Sequence, residues 1–373
     1  MFFASIATLC FAAAALAGPH KRADSLSVAL MGPASSVNSV ADLTLTATVT
    51  NNGVEDIKVL KYGTILDADL PTRSFTVTRD GTVVPFTGIK LSVSLSDADD
   101  SAYTTIPAGE SVTVVHDVSA LFDFASAGTG AFTRSPPARE LTTLEVSASP
   151  ITIAVTGDVT THELTRRASD ICTTASRKSF IDASYSEAKS LASISSSYVS
   201  SRGASDSLYQ AYFGATATSR VTSVLNAVSS ESSSSRTLSC VDSFGACSSG
   251  VIAYTVISTT NIYFCSIFFN EVATTNLCSG TSVASRNVRG GTTLHELTHA
   301  VAGTDDIIYG CASDQALSDA NSIKNADNFN VSLFPLPSLS SFLSTRIRGV
   351  DSLGRVNAAC GFVWGLAKVG LDF

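Results

Sequence analysis

Gly291-Thr292-Thr293-Leu294-His295-Glu296-Leu297-Thr298-His299, followed after three residues by Gly303-Thr304-Asp305-Asp306-Ile307-Ile308-Tyr309-Gly310, is the stretch on which the reading of this chain turns. Its first part is H-E-x-x-H. Residues four apart share one face of a helix, so His295 and His299 can bind one metal ion together, with Glu296 in reach of a metal-bound water. That is the constellation of a zinc peptidase. The chain has five histidines (His20, His116, His162, His295 and His299), and beyond residue 167 it uses His only at this ligand spacing. A plainer reading is open too: Thr293-Leu294-His295-Glu296 fits a capping box, in which Glu296 closes the first turn of an ordinary helix.

A catalytic zinc site has three protein ligands and one open position. No His follows His299 and no Glu follows Glu296. A carboxylate ligand from this side of the motif is therefore an Asp. The candidates are Asp305, Asp306, Asp314, Asp319, Asp327, Asp351 and Asp372. Asp305 and Asp306 are nearest, just past a helix end expected at Gly303.

H-E-x-x-H followed by G-T-x-D-x-x-Y-G resembles the deuterolysin (aspzincin) family of fungal secreted zinc endopeptidases. The resemblance runs in islands over roughly 168–360 and is strongest over 291–327. It implies one zinc ion per chain held by His295, His299 and Asp306, with Glu296 as general base. Tyr309 would supply the hydroxyl that stabilises the oxyanion. Asn325-Ala326-Asp327 also resembles a family segment, in which Asp327 would orient the ligands from behind; an ordinary helix N-cap is the alternative. Two departures stand out. The turn from His299 to Gly303 is shorter than is usual in the family, which keeps Asp305 as a rival ligand. Phe268, in Cys265-Ser266-Ile267-Phe268-Phe269, falls where members carry a functional Tyr; either that role is lost, with reduced turnover, or Tyr309 covers it. The resemblance further suggests disulfides Cys172–Cys240, Cys247–Cys265 and Cys278–Cys360. That leaves Cys311 free, as a buried thiol or as one able to reach the metal.

The 373 residues suggest two domains. A 45% hydrophobic and 15% charged composition reads as globular and extracellular. The net charge of −8 gives no support to a nucleic-acid partner. Residues 1–17 read as a signal peptide, with a small-x-small site at Ala15-Leu16-Ala17. No later apolar run reaches the ~18 residues of a membrane span. Apart from Cys10, every cysteine lies beyond residue 167, as befits an oxidising compartment. Lys21-Arg22 and Arg166-Arg167 read as processing sites, the second falling where Cys-free sequence gives way to Cys-containing sequence. His162-Glu163-Leu164-Thr165 echoes the motif but ends in Arg166, and cannot bind zinc the same way.

Residues 18–167 alternate with period two, as in Leu43-Thr44-Leu45-Thr46-Ala47-Thr48-Val49 and Ile151-Thr152-Ile153-Ala154-Val155, between turn signals. They predict an antiparallel β-sandwich pro-domain that assists folding and masks the cleft. Arg79-Asp80-Gly81 reads as a hairpin turn rather than an integrin-binding tripeptide. Beyond residue 168 the periodicity predicts helices over 170–200 and 205–229 and strands over 251–259 and 261–269. Further helices are expected over 285–302, which carries the motif, and 312–333. By analogy with zincin folds, an edge strand beside the motif helix would bind an extended substrate. Asn330-Val331-Ser332 is an N-glycosylation acceptor expected at the surface. The apolar tail Gly361-Phe362-Val363-Trp364-Gly365-Leu366 is expected to pack on the core. No G-x-S-x-G elbow supports a serine triad.

The expectation is a multidomain preproenzyme: signal peptide 1–17, pro-peptide 18–167 and a mainly helical α+β zincin-like metalloprotease domain over 168–373. It would be a secreted monomer acting on protein or peptide substrates, with its own pro-domain as inhibitor or folding aid, and without membrane or nucleic acid as partner. The alternative is a catalytically weak or inactive secreted homologue that acts by binding.

Overall fold

The computed structural model describes residues 26–135, 146–160, 172–277, 281–282 and 285–331. The expected signal peptide, both dibasic pairs, the His162-Glu163 echo, the Cys278–Cys360 bridge and the Trp364 tail lie outside them.

Chain order begins with β1 (Leu26–Met31), β2 (Ser36–Ser39), β3 (Thr44–Asn51), β4 (Ile57–Leu60), β5 (Thr76–Arg79) and β6 (Thr82–Val83). Next come β7 (Ile89–Val93), β8 (Tyr103–Ile106), β9 (Ser111–Asp117) and the short helix α1 (Phe124–Ala127), then β10 (Gly130–Ser135), β11 (Val146–Ala148) and β12 (Ile151–Asp158). One sheet has the order β11-β1-β3-β9 and another β2-β12-β10-β5-β6. Alternation sets their inner faces: in β3, Leu45, Ala47 and Val49 are buried while the intervening threonines face outward. These side chains share one core with Val77, Phe132, Ile153 and Val155 of the second sheet, capped by Phe75, Phe122 and Phe124. Asp80 and Gly81 both take positive φ (50° and 77°) in the β5–β6 turn, the conformation of a tight hairpin.

Strand β7 leaves this arrangement. It pairs antiparallel with β14 (Val251–Val256), with Lys90 opposite Thr255 and Leu91 opposite Tyr254, in a sheet of order β13-β15-β14-β7. In that sheet β13 is Leu238–Ser239 and β15 is Asn261–Phe264. All five β7 residues are buried, which explains why the run Ile-Lys-Leu-Ser-Val can include a lysine only where that lysine is paired. The fold is thus mixed α/β, with one sheet that joins a strand from before residue 100 to three from beyond residue 230.

Helices α2 (Ala175–Arg202), α3 (Ser207–Phe213) and α4 (Thr218–Ser229) follow the bridge Cys172–Cys240. The single helix expected over 205–229 is two. Gly214, at φ 52°, caps α3, and the next N–H, of Ala215, donates to Asp319. The strand expected over 261–269 ends at Phe264. Cys265, bridged to Cys247, starts a 3-10 turn over Ser266–Asn270. Phe268 lies in that turn fully buried against Phe180, Phe264 and Phe269.

The motif helix is α5 (Arg289–Ala302), starting four residues later than expected. It packs on α2, α4 and β14 with Leu294 and Leu297 in the core. Gly290 permits that approach: a Cβ there would meet Glu187 and Thr274 at 2.8 Å. The helix expected over 312–333 is three short ones, α6 (Cys311–Gln315), α7 (Asp319–Ser322) and α8 (Ala326–Val331). The break before α8 comes where Asn325 turns its amide onto Asp314 and Asn328. Asn330, expected at the surface as a glycosylation acceptor, is only 5% exposed.

Candidate metal centre

Helix α5 runs from Gly290 to His299 without an exposed residue. It is stopped by Gly303, whose left-handed backbone (φ 70°, ψ 22°) lets its N–H return to His299 O. The turn brings Thr304 back over the helix end. His299 Nδ1 lies 2.7 Å from Thr304 O, and Thr298 and Thr304 share a hydroxyl contact of 2.6 Å. Because a carbonyl only accepts, His299 carries its proton on Nδ1 and presents the Nε2 lone pair. An isolated bridge pairs Asp305 with Asn325, and Asn325 Oδ1 accepts from Ile307 N; together they fix the course of the second motif.

That course places Asp306, not Asp305, against the histidines. His295 Nε2 is 2.9 Å and His299 Nε2 is 3.2 Å from Asp306 Oδ1, and the two ring nitrogens are 3.1 Å apart. All three residues offer one ligand atom to a common point. A tetrahedral ion with bonds of about 2.0 Å holds its ligand atoms about 3.3 Å apart, close to these separations. With both rings neutral and protonated on Nδ1, three lone pairs converge at this distance, an arrangement that a cation between them stabilises, so the donor set fits zinc. The short 300–302 turn does not prevent this geometry. Asp305 points away, to Lys90 and Arg73 at 3.0 and 3.1 Å.

Burial and charge agree with a cation site. Burial works against a charge on His295, yet Asp306 and Asp327 outweigh it and raise its pKa to about 10. For Asp306 the burial penalty is overcome by His299 and His295, which hold it far below the carboxylate range. Burial lowers His299 and raises Glu296 to about 8. Glu296 Oε2 accepts from Thr255 Oγ1 at 2.6 Å, whereas Oε1 is buried with no partner. With the helix starting at Arg289, Glu296 caps nothing.

Behind the site, Asp327 Oδ2 accepts from Gly310 N at 2.7 Å, and Oδ1 accepts from Arg286 Nη2 at 2.6 Å. Oδ1 also lies 3.7 Å from His295 Nδ1, an electrostatic contact that favours a proton on that nitrogen. Asp327 sits inside α8 with these three contacts rather than at its N-cap. Tyr309 stacks near His295, with centroids 6.3 Å apart. Cys311 is a buried free thiol and is not in the ligand cluster. Arg286, Thr255 and β7 are contributions that no motif marks. An arginine and a threonine at those positions look ordinary, and the partner of β7 lies more than 150 residues away.

A model of the deuterolysin metalloprotease (M35) family matches residues 1–335. The chain belongs to the deuterolysin family. A neutral protease 2 homolog from Phaeosphaeria nodorum is 32% identical over 342 residues, covering 86% of this chain and 93% of its own. The peptidyl-Lys metalloendopeptidase of Armillaria mellea is 28% identical over 347 residues, covering 86% and 94%. Penicillolysin of Penicillium citrinum is 29% identical over 323 residues, covering 79% and 88%. A solved zinc peptidase from Grifola frondosa aligns with 44% of this chain and 98% of its own, at 27% identity and a TM-score of 0.35. As a deuterolysin, the chain is a metalloendopeptidase, and its family implies a metal of the kind the His295-His299-Asp306 cluster fits.

The deuterolysin cleft is covered by its own N-terminal part. Leu91 N donates to Asp306 Oδ2 at 2.8 Å, and Tyr309 Oη donates to Leu91 O at 2.7 Å. Lys90 reaches Thr304 O at 2.5 Å. Between β7 and the site a cavity of about 30 Å³ remains, lined by Tyr62, Arg73, Lys90, Asp306 and Tyr309 among others.

Proposed function

We propose that the chain is a secreted zinc endopeptidase, made as a precursor and processed near Arg167, with β7 holding the cleft shut until then. The observation that carries the reading is the single point shared by His295, His299 and Asp306, with the unpaired Glu296 carboxylate oxygen one residue along the helix. His295, His299 and Asp306 would hold one zinc ion. When bound, such an ion supplies Lewis-acid polarisation of a carbonyl and acidifies water.

The chain's own residues do the rest. Thr255 fixes one Glu296 oxygen, leaving the other to take a proton from the attacking water and pass it to the leaving nitrogen. Tyr309, already donating to a main-chain carbonyl of β7, donates to the substrate oxygen as negative charge develops. Asp327 keeps the His295 ring turned, and Thr304 does the same for His299. β14 offers its edge to an extended peptide, the place β7 takes in the precursor. Among the described residues no helix is long and apolar enough to cross a membrane.

A weak or inactive binding homologue is the other reading. Phe268 and the short turn after His299 were its support; the first lies in the core and the second delivers Asp306 to the histidines. The test is Glu296→Gln in the processed protein. The expected result is unchanged zinc content with kcat lowered about 10²–10⁴-fold; equal activity would refute the mechanism.

A further inference from the structure

Arg286 is the least expected group in the cleft. It stands outside both motifs, three residues before α5, and its backbone holds φ 47°, a conformation a branched-chain or long side chain rarely adopts without cause. Its side chain is only 11% exposed. The guanidinium lies over the Tyr309 ring at 5.3 Å. One terminal nitrogen, Nη2, is committed to Asp327. The other, Nη1, donates to the main-chain carbonyl of Val93 at 3.0 Å.

Val93 matters because of what precedes it. Leu91 meets Asp306 with its N–H and Tyr309 with its carbonyl, so residue 91 lies where a peptide carbonyl faces the proposed oxyanion donor. In an extended strand the main-chain groups repeat every two residues, about 6.6–6.8 Å apart. Any peptide lying along β14 in the direction of β7 therefore presents, two residues on, a carbonyl where Val93 O is now. Past Val93 lies a cavity of about 280 Å³, walled by Arg286, Glu271, Asn270 and Ile252 and by Ser94 and Asp97 of the chain that follows β7.

We propose that Arg286 is a substrate-binding residue: in the processed enzyme its Nη1 takes the main-chain carbonyl of the second residue after the bond that is cut. Asp327 has two jobs in this arrangement, steadying His295 on one side and aiming the guanidinium fork on the other. The fork suits them, because a planar guanidinium can serve a carboxylate and a carbonyl at once. The contact is to main chain, so it sets how far a substrate must extend, not which side chains it carries. The inference rests on the peptidase reading above and on substrates lying where β7 lies.

The experiment uses the processed enzyme from expression of the full chain and two peptides with the same single cleavage site. One continues four residues past the cut; the other ends in an amide after the first. Shortening is expected to lower kcat/KM of the wild type about 10- to 100-fold, the worth of one charge-assisted hydrogen bond. Arg286→Gln should lower it by a similar factor on the long peptide, chiefly through KM. Combining the substitution with the short peptide should cost little more than either change alone. Losses that simply multiply, or a kcat loss equal on both peptides, would overturn the proposal and leave Arg286 a counterion for Asp327. A zinc-loaded wild type that cuts neither peptide refutes the peptidase reading instead. The contact itself is then judged in the uncut chain, by hydrogen exchange over residues 91–94. Arg286→Gln should speed exchange there about 10-fold relative to the distant strands β1 and β3; unchanged exchange overturns the assignment.

Discussion

Replacing Lys90 with Met tests the proposal that β7 holds the cleft of an unprocessed precursor shut. Lys90 is 8% exposed, lies 3.0 Å from Asp305 Oδ1 and donates to Thr304 O and, at 3.2 Å, to Gly303 O. Met keeps the apolar stem that packs between β14 and the turn but removes the charge and the donors. A hydrogen bond to a charged group is worth about 1.5–3 kcal/mol. Arg73 stays on Asp305, so that carboxylate is not left alone, and the lower part of the range applies. A loss of about 2 kcal/mol shifts the closed-to-open ratio about 30-fold. The assay is peptide hydrolysis by a precursor kept intact with Arg166→Gln and Arg167→Gln. The Lys90→Met precursor should cut about 30-fold faster than its parent, and the two processed enzymes, which lack residue 90, should be equal. An unchanged rate, or a parent precursor already as active as the processed enzyme, would refute the reasoning.

Two further outcomes follow from neighbouring residues. Asp306→Asn should lower zinc affinity by a factor of about 10 or more, whereas Asp305→Asn should keep the metal and loosen the precursor; titration with a competing chelator separates them. Glu271 is buried with Thr292 as its hydrogen-bond donor, and burial lifts its pKa from 4.5 to about 8. The folded chain therefore binds the extra proton, a stabilisation fully present below about pH 4.5 and lost as pH rises through about 8. Urea melts should show Glu271→Gln flattening that fall; an unchanged slope between pH 5 and 8 removes Glu271 from the account.

The H-E-x-x-H helix was legible because ligand spacing and helical period coincide, and the second motif singled out Asp306 and Tyr309, the one set against both histidines and the other beside His295. The alternation around Leu45 and Ile153 marked strands for the same local reason, a period of two. What could not be read was tertiary. Asp305 and Asp306 are adjacent in sequence and look equivalent; only the Gly303 turn and the pairing of Asp305 with Asn325 decide which faces the histidines. Phe268 looked like a lost functional group because its neighbours in sequence resemble a site segment, while its neighbours in space are aromatic core. Asn330 satisfies a three-residue surface pattern, but α8 turns it inward toward Asp327. Strand β7 alternates like any other strand, and nothing local records that its partner is β14 rather than a neighbour in the N-terminal sheets.

The most direct test of the central claim is metal dependence in the processed protein. Casein hydrolysis should vanish on treatment with 1,10-phenanthroline and return on adding one equivalent of zinc, with the bound metal counted by mass spectrometry at one per chain. Undiminished hydrolysis by metal-free protein would contradict the account at its foundation.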